Sequence, residues 1–433
     1  MPSATEGIRF AGDVNIEKIE IISSNGFGLE ITNQVVALEI YEDMFSPFIS
    51  GVLAVRDSVD FINLFPFVGE EFINISIHTP SFSGKGKVIK DQFYIFKINN
   101  KAKVADRSMI YEVHFFSREA MVDLNKKVST KYEGKISDMA KDIITDPYHG
   151  LESKKDTVIE YTPNGNKFIS NYWSPVKNLN YIAETAQNAD GSSGYLFFEN
   201  RKGFNFVSTE YLYKQDLTQE FIYDQYIRDF NKDGTSIRNV QEEYKRIIDI
   251  NIPSLFDYID RARMGMFASK MIAYDITTKK FMVRNFDMLD EFDKTEHLNK
   301  YPLTSKKNIR KTASTIINFP KYYNNFNNYI DVTNSKTVQK RMSLMQQTRA
   351  NRVEITVPGR TDYTVGQKVN LKLNKFNPIE SKDSYDDTLD KMFSGNYVIG
   401  AINHFIDREK HECHIELIKD SLLINLDEGK GSR

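Results

Sequence analysis

Two stretches of this chain, far apart in the sequence, follow almost the same pattern. Residues 68–77 have the sequence VGEEFINISI and residues 364–373 have the sequence TVGQKVNLKL, so each places Val-Gly before one or more polar residues. Apolar and polar side chains then alternate, which is typical of a β-strand with one buried face. A strand that is repeated in this way predicts that the unit to which it belongs is also repeated.

The segments that follow the two stretches also correspond. Each stretch is followed by a loop, a strand, a charged turn and a returning strand. The matched residues are Phe93 with Tyr397, Ile95 with Ile399, Ile98-Asn99 with Ile402-Asn403, Val113 with Ile415, and Phe115 with Leu417. This shared order predicts an internal duplication. The alternative is that two unrelated antiparallel meanders with similar turns happen to look alike.

The composition favours a β-rich body without a strong net field. The chain has 433 residues, enough for several domains, and its 30 Phe and 23 Tyr suit strands. Lys and Arg number 57 against 59 Asp and Glu, so the chain has no large net field that would attract nucleic acid or anionic lipid. The single cysteine, Cys413, excludes an internal disulfide and points to synthesis in a reducing cytoplasm. No secretion signal and no apolar stretch of roughly 18 residues occurs, so we expect no membrane anchor.

The hydrophobic periodicity divides the chain. Alternation with period two dominates both ends, whereas apolar residues recur at helical spacing from Ile136 to Ile143, and Ser174-Pro175 predicts the start of another helix. We expect an α+β, mainly β fold with two related antiparallel β-barrel domains and an α+β middle domain. The expected divisions are 1–124, first barrel; 125–222, middle domain; 223–288, first part of the second barrel; 289–350, a polar insertion or linker and a helix; 351–425, the rest of the second barrel; and 426–433, a flexible tail.

Four segments, in this order and spacing, resemble a known family. They are a Pro-led helix and strand pair ending in GFNFVS (203–208), the hairpin ASKMIAYDITTKKFMVRNFDM (268–288) followed by EHLNKYPL (296–303), the helix end and strand QQTRANRVEITVPG (346–359), and the closing SGNYVIGAINHFIDREKHECHIELIKDSLL (394–423). The family is that of the baseplate hub subunits of contractile-tailed, T-even-like bacteriophages, which are related to the hub half of type VI secretion spike proteins.

This resemblance implies a structural protein of the tail baseplate in the virion, not an enzyme. It implies a homotrimer in which two barrels per chain alternate in a pseudo-sixfold ring around an axial channel. One side of the ring would contact the tail tube or a tube-initiator protein and the other the central spike protein, with baseplate wedge proteins as neighbours. The genome would pass through the channel without sequence-specific binding. No cofactor is implied, and the chain would be synthesised in the host cytoplasm.

Six residues are candidates for structural or interface roles. They are Gly69, Phe93, Trp173, Pro175, Gly366 and Tyr397. The two glycines would allow tight turns into the matched strands, because glycine adopts backbone conformations that other residues avoid. The matched aromatic residues would support equivalent positions in the two barrels, and the Trp and Pro would fix the entry to the middle-domain helix by packing.

Motifs that would carry chemistry are weak. No phosphate-binding glycine loop and no nucleophile elbow occurs. In the sequence HECH, strand alternation places His411 and Cys413 on one face and His414 on the other, so we predict solvent-facing residues and no metal site. Residues 229–234, DFNKDG, begin like a calcium loop, but its twelfth position is Val240 where the loop needs glutamate, which favours a polar turn.

The alternative function is that of a tail-associated cell-wall hydrolase or a carbohydrate-binding protein. Such a protein needs a cleft in which polar groups converge. Among 59 acidic residues many pairs could be nominated as a glycosidase dyad, and the sequence singles out none of them. We therefore predict no catalytic residue, and turnover of peptidoglycan would distinguish the two functions.

Overall fold

A computed structural model describes residues 8–61, 67–80, 88–105, 108–223, 240–253, 257–275, 279–305, 315–321, 337–375 and 388–427. The calcium-like motif at 229–234 and most of the 426–433 tail lie outside these residues. The strands are β1 (Asn15–Ile22), β2 (Gly28–Glu30), β3 (Val35–Asp43), β4 (Ser50–Asp57), β5 (Phe72–His78), β6 (Val88–Ala105), β7 (Ser108–Ser117), β8 (Lys131–Lys135), β9 (Thr157–Ile159), β10 (Gly165–Ile169), β11 (Tyr195–Asn200), β12 (Gly203–Ser208), β13 (Leu217–Tyr223), β14 (Asp249–Asn251), β15 (Ala268–Asp275), β16 (Lys280–Asp287), β17 (Tyr301–Pro302), β18 (Thr315–Lys321), β19 (Asn351–Pro358), β20 (Lys368–Leu373), β21 (Gly395–Asp407), β22 (His411–Lys419) and β23 (Ser421–Leu422). The helices are α1 (Arg118–Asn125), α2 (Ile136–Thr145), α3 (Pro175–Thr185), α4 (Thr209–Tyr213), α5 (Val240–Glu243), α6 (Tyr258–Arg263), α7 (Met288–Phe292) and α8 (Val338–Thr348).

One large sheet contains the same five-strand arrangement twice. Strands β3 to β7 are neighbours in the order β3-β4-β7-β6-β5, and β14, β19, β20, β21 and β22 are neighbours in the order β14-β19-β22-β21-β20. Both sets also follow the same order along the chain. We call the first set the first unit and the second set the second unit. All of these neighbouring strands are antiparallel, which confirms the predicted α+β, mainly β fold class. The structure places the strands of both units in one large sheet.

The two units agree in register as well as in order. Ile73 lies opposite Phe93 in the first unit, as Val369 lies opposite Tyr397 in the second. The next pairs stand on either side of a β-bulge, and they are Ile95–Phe115 and Ile98–Val113 in the first unit and Ile399–Leu417 and Ile402–Ile415 in the second. A slip of one residue would turn every side chain to the wrong face, so register is a specific property. Shared order, register and bulge position favour the predicted duplication over two unrelated meanders.

A strand pairing joins the two units within the chain. Strand β21 is long, and residues 395–398 pair with β20, whereas residues 401–407 continue along the same edge and pair with β3 of the first unit. We call the β21–β3 contact the seam. Because of the seam, the sheet runs from one unit into the other without a break.

Each unit encloses its own hydrophobic core on one side of the sheet. Ile73, Ile75 and Ile77 are buried at alternate positions of β5, as the period-two pattern predicted. The second unit buries Val369 and Leu371 of β20 in the same way.

The middle domain has a separate core between helices and a small sheet. Strands β11, β12 and β9 form this sheet, and helices α2 and α3 pack against each other and against it. Helix α2 buries Ile136 and Ile143, as their helical spacing predicted, and it ends before Pro147. Helix α3 begins at Pro175, and the Ser174 hydroxyl accepts a hydrogen bond from the main chain of the first turn.

The described part of the polar stretch 289–334 has more structure than the expected linker. Residues 301–302 pair with β23, and β18 lies parallel to β15 in a three-stranded sheet with β16. Helix α8 then leads into β19, as predicted. Within the described residues, no helix has the length and apolar character needed to cross a membrane.

Candidate functional site

The side of the sheet that faces away from the two cores forms one surface across both units, which we call the open face. Cross-strand pairing places one residue from each of nine strands in a single row on this face. From β14 to β5 the row is Asp249, Thr356, His414, Asn403, Tyr41, Ser50, Phe116, Tyr94 and Phe72. All nine are exposed or partly exposed. A surface of this extent is suited to lining a channel or groove.

Carboxylates are prominent on the second unit's part of the open face. Glu354 lies opposite Glu416 in the β19–β22 ladder, and burial raises the pKa of Glu416. Arg352 Nη1 lies 3.3 Å from Glu416 Oε1, and Asn251 Nδ2 donates to Glu354 Oε2 across 2.8 Å. Asp249, Asn251, Glu354 and Glu416 line a depression of about 440 Å³. Each of the two central carboxylates therefore already has a polar partner.

Polar side chains also bridge the seam. Asn403 Nδ2 of β21 donates to Glu39 Oε2 of β3 across 2.9 Å, and the Tyr41 hydroxyl donates to the same oxygen across 2.5 Å. Burial and the neighbouring Glu39 carboxylate raise the pKa of the Tyr41 phenol. The seam thus combines main-chain pairing with a side-chain network on the open face.

Beneath the seam, on the buried side, Glu42 connects three parts of the chain. Arg201, at the β11–β12 turn of the middle domain, donates from Nε to Glu42 Oε1 across 3.0 Å and also donates to the main-chain carbonyls of Thr361 and Tyr363. The Thr364 hydroxyl donates to the other carboxylate oxygen. Burial opposes the charge of Glu42, but the neighbouring His404 imidazole and the charge of Arg201 outweigh it and lower the pKa of Glu42.

Beside Glu42 lies a buried cluster of His404, His411 and Cys413. The His404 Nδ1 to His411 Nε2 distance is 3.0 Å, and Cys413 Sγ lies 3.3 Å and 3.5 Å from these two nitrogens. Burial raises the pKa of the Cys413 thiol to about 12 and lowers the pKa of both imidazoles. This set of donors, two imidazole nitrogens and one sulfur, is one that transition metals bind.

The cluster corrects one prediction. Strand alternation does separate His414 from His411 and Cys413, and His414 is exposed as expected. The prediction of solvent-facing residues is wrong for His411 and Cys413, because the face that they share is the core side of the sheet. The third member, His404, comes from the preceding strand, where it lies opposite Cys413.

The two predicted glycines lie at equivalent turns. Gly69 has φ +91° and Gly366 has φ +88°, a region that favours glycine. In each turn a side chain that precedes the matched strand holds the main chain: Glu71 accepts from the Gly69 N–H at 2.8 Å, and Gln367 accepts from the Thr364 N–H at 3.2 Å. The glycines therefore allow the backbone to turn, and hydrogen bonds from the main chain of the turn to a polar side chain stabilise each turn.

The other candidate residues have packing positions. Phe93 and Tyr397 are buried in the cores of their respective units. Trp173 is partly buried with its ring centroid 5.3 Å from that of Tyr181, and Pro175 is the first residue of α3. The structure does not bring the six predicted residues together in one site, and an interface role for them stays a prediction.

The residues of the open face and the buried network were missed at the sequence level. Glu42, Arg201 and His404 belong to three different segments, and no local motif links them. One signal was available for His404: folding the last hairpin about its charged turn, residues 408–410, places His404 opposite Cys413.

Comparisons with solved structures show which fold this is. A tail protein from Neisseria meningitidis MC58 matches with a TM-score of 0.54 and 10% identity, over 93% of this chain and 96% of that one. The 43 kDa tail protein of prophage MuSo2 from Shewanella oneidensis matches with a TM-score of 0.53 and 9% identity, over 93% and 98% of the two chains. A component of the E. coli type VI secretion system matches with a TM-score of 0.43 and 8% identity, over 94% and 76%.

No protein-family model matches the sequence, and no curated protein sequence matches it. The structural matches show that the chain has the fold of tail proteins such as those of Neisseria meningitidis and prophage MuSo2. The resemblance predicted from the sequence is confirmed at this level, that of the fold.

Proposed function

We propose that the chain is a baseplate hub subunit of a contractile phage tail. Three copies form a homotrimeric ring with six near-equivalent units around an axial channel. The ring joins the hexameric tail tube, or a tube-initiator protein, to the trimeric central spike, with baseplate wedge proteins around it. The fold shared with two tail proteins and the duplication within the chain support this assignment.

One observation carries the proposal: the two units present complementary strand edges. Within the chain, the second half of β21 pairs with β3 across the seam. The equivalent half of β6, residues 98–105, pairs with β7 on one edge, and no other described strand pairs with it. Strand β14, the equivalent of β3, pairs with β19 and with no further described strand. A second copy of the chain can therefore repeat the seam by placing its β14 beside β6.

Repetition of the seam between chains leads to a ring. A head-to-tail contact closes into a ring when its rotation divides a full turn. Because each chain carries two units, three chains give six near-equivalent positions while keeping true threefold symmetry. Such a ring can contact a sixfold tube through equivalent unit surfaces and a threefold spike through surfaces that occur once per chain.

In this ring the open face lines the channel and the two cores lie behind it. Its carboxylates, including Glu354, Glu416 and Glu39, carry the same sign of charge as a nucleic-acid backbone. Like charges repel, so a lining of this kind favours passage over adhesion. The open face therefore suits a conduit through which the genome passes without sequence-specific binding.

The second candidate is a wall hydrolase, and the Glu354–Glu416 pair is the observation that favours it. Two carboxylates in a depression, one with a raised pKa, form the basic arrangement of a glycosidase. However, Arg352 pairs with Glu416 and Asn251 donates to Glu354, so neighbouring side chains of the same sheet already engage both carboxylates. Release of peptidoglycan fragments by the wild-type chain, lost in Glu416→Gln, would support the hydrolase instead.

The native mass of the purified chain, measured by light scattering and followed by negative-stain imaging, tests the hub proposal. Three chains of 50.1 kDa give about 150 kDa, and we expect a ring with a central hole. A monomer that stays monomeric after addition of the spike protein of the same tail would contradict the proposal.

A further inference from the structure

The His404–His411–Cys413 cluster has the dimensions of a metal site. Its three potential ligand atoms all lie within 4.8 Å of one another, and all three residues are buried. For a tetrahedral ion with Zn–N of about 2.05 Å and Zn–S of about 2.3 Å, the ligand atoms stand about 3.3 Å (N to N) and about 3.6 Å (N to S) apart. The observed separations are 3.0 Å between the nitrogens, and 3.3 Å and 3.5 Å from sulfur to nitrogen.

We propose that this cluster binds one Zn²⁺ ion through His404 Nδ1, His411 Nε2 and Cys413 Sγ. The fourth tetrahedral position is left for a small ligand such as water. On binding, the Cys413 S–H bond gives way to a Zn–S bond and the thiol proton passes to solvent, with no change of oxidation state. This inference concerns the buried side of the second unit and does not rest on the proposed ring.

The surroundings of the cluster resemble the outer sphere of a zinc site. With Nδ1 directed at the metal, the other ring nitrogen of His404 faces Glu42, whose Oε1 lies 3.7 Å away. Metal-bound histidines commonly present their second nitrogen to a carboxylate, which fixes the ring orientation and strengthens the ligand. Arg201 and Thr364 hold that carboxylate in turn.

Close packing also fixes the second imidazole. Gly359 lies against the His411 ring, and a Cβ at this position would come within 2.3 Å of ring atoms. Glycine therefore allows the main chain to approach the ring and hold it in place. Together with the strand pairing of His404 and Cys413, this contact arranges the three ligands before any metal arrives.

The choice of zinc follows from the ligand set. A thiolate with two imidazoles suits zinc better than magnesium or calcium, which prefer oxygen ligands. The site would connect β21 to β22 directly behind the open face and next to the seam. Its role in this position would be structural: it would hold the hairpin that carries one edge of the seam.

The test is metal binding by the full-length chain. We expect about one zinc per chain by mass spectrometry of metals after growth with zinc. When Co²⁺ is added to metal-free protein, a thiolate-to-cobalt absorption band should appear. Cys413 is the only cysteine of the chain, so a thiolate-to-cobalt band in the folded wild-type protein can come only from this residue. The wild-type measurement therefore tests the site without depending on whether a variant folds.

Two variants sharpen the result. Cys413→Ser should lose the cobalt band and bind zinc at least about tenfold more weakly, whereas the matched control His414→Ala, on the exposed face of the same strand, should behave as wild type. Zinc should also raise the melting temperature of the metal-free wild-type chain. Folded wild-type chain that binds neither metal, or loss of binding in His414→Ala but not in Cys413→Ser, would overturn the proposal.

Discussion

Arg201 donates from Nε to Oε1 of Glu42 across 3.0 Å, and both side chains are almost fully buried. The two residues belong to different parts of the chain, since Arg201 lies in the middle domain and Glu42 on β3 at the seam. The guanidinium also holds carbonyls of the second unit. One ion pair thus fixes the relative position of the first unit, the second unit and the middle domain.

We predict that Arg201→Ala lowers the free energy of unfolding by about 3–5 kcal/mol, because it leaves the Glu42 carboxylate buried without its cation. Urea denaturation followed by circular dichroism measures the change. Lys214→Ala is the control, since it removes an exposed ion pair with Asp190 and should cost less than about 1 kcal/mol. Equal losses of unfolding free energy in the two variants would show that the buried ion pair contributes no more to stability than the exposed one.

The equivalent glycines provide a second prediction, in which each unit is the control for the other. Gly69→Ala should cost about 1–2 kcal/mol, because a side chain at positive φ is strained and the added methyl group meets nothing within 4 Å. Gly366→Ala should cost more, because its methyl group would lie 3.3 Å from the Phe198 ring. Thermal unfolding of both variants gives the order, and an equal or reversed order would refute the packing argument.

A third prediction concerns the contact between chains. Within the chain, Phe405 of β21 lies opposite Glu39 of β3 at the seam. The equivalent residues are Ala102 of β6 and Asn251 of β14, so the same register between chains places Ala102 of one chain opposite Asn251 of the next. The double variant Ala102→Cys/Asn251→Cys should form disulfides between chains under mild oxidation, because opposite strand residues have Cα atoms within disulfide range. Non-reducing electrophoresis should show linked dimers and trimers.

The controls for this experiment are the two single variants, which should stay unlinked because the native Cys413 is buried. Efficient linking in either single variant would mean non-specific collision. A double variant that remains unlinked although the chains are trimeric by light scattering would reject the β14–β6 contact while leaving the trimer intact.

A fourth prediction is a pH dependence that arises at His297. Burial opposes its charge, but Asp420, whose Oδ2 lies 2.6 Å from Nδ1, outweighs burial and raises the pKa of His297. A raised pKa in the folded state stabilises the protein below the ordinary value of 6.5, and this stabilisation is lost as the pH rises through the folded-state pKa. The unfolding free energy of the wild type should therefore fall as the pH rises above 6.5, more steeply than that of Asp420→Asn.

Urea denaturation at several pH values measures both slopes. His149→Gln, which changes an exposed histidine, is the control and should keep the wild-type slope. Parallel slopes for wild type and Asp420→Asn would show that the His297–Asp420 contact does not carry a pH-dependent stabilisation.

Patterns within a strand or helix could be predicted from the sequence. Alternation fixed the buried face of β5, and Ser174 and Pro175 marked the start of α3, because both signals depend on near neighbours. The correspondence of Phe93 with Tyr397 was also visible, since two similar strand orders leave similar side-chain patterns.

Long-range pairings could not be predicted in this way. The seam joins β3 to β21 across most of the chain, and nothing local to Glu39 or Asn403 identifies the partner. The burial of His411 and Cys413 depends on which side of the sheet the core occupies, which alternation alone does not decide. The parallel β18–β15 contact likewise lies in a stretch whose polar composition suggested a linker.

The seam has a consequence for how such proteins diverge. Its main attraction is hydrogen bonding between backbones, which every residue except proline can provide. Mutations on either strand can therefore accumulate without abolishing the contact, provided that length and strand geometry persist. Almost the whole amino-acid sequence of such a protein can therefore change while the pairing of its strands persists. Two tail proteins that share this fold at 9–10% identity accord with this expectation.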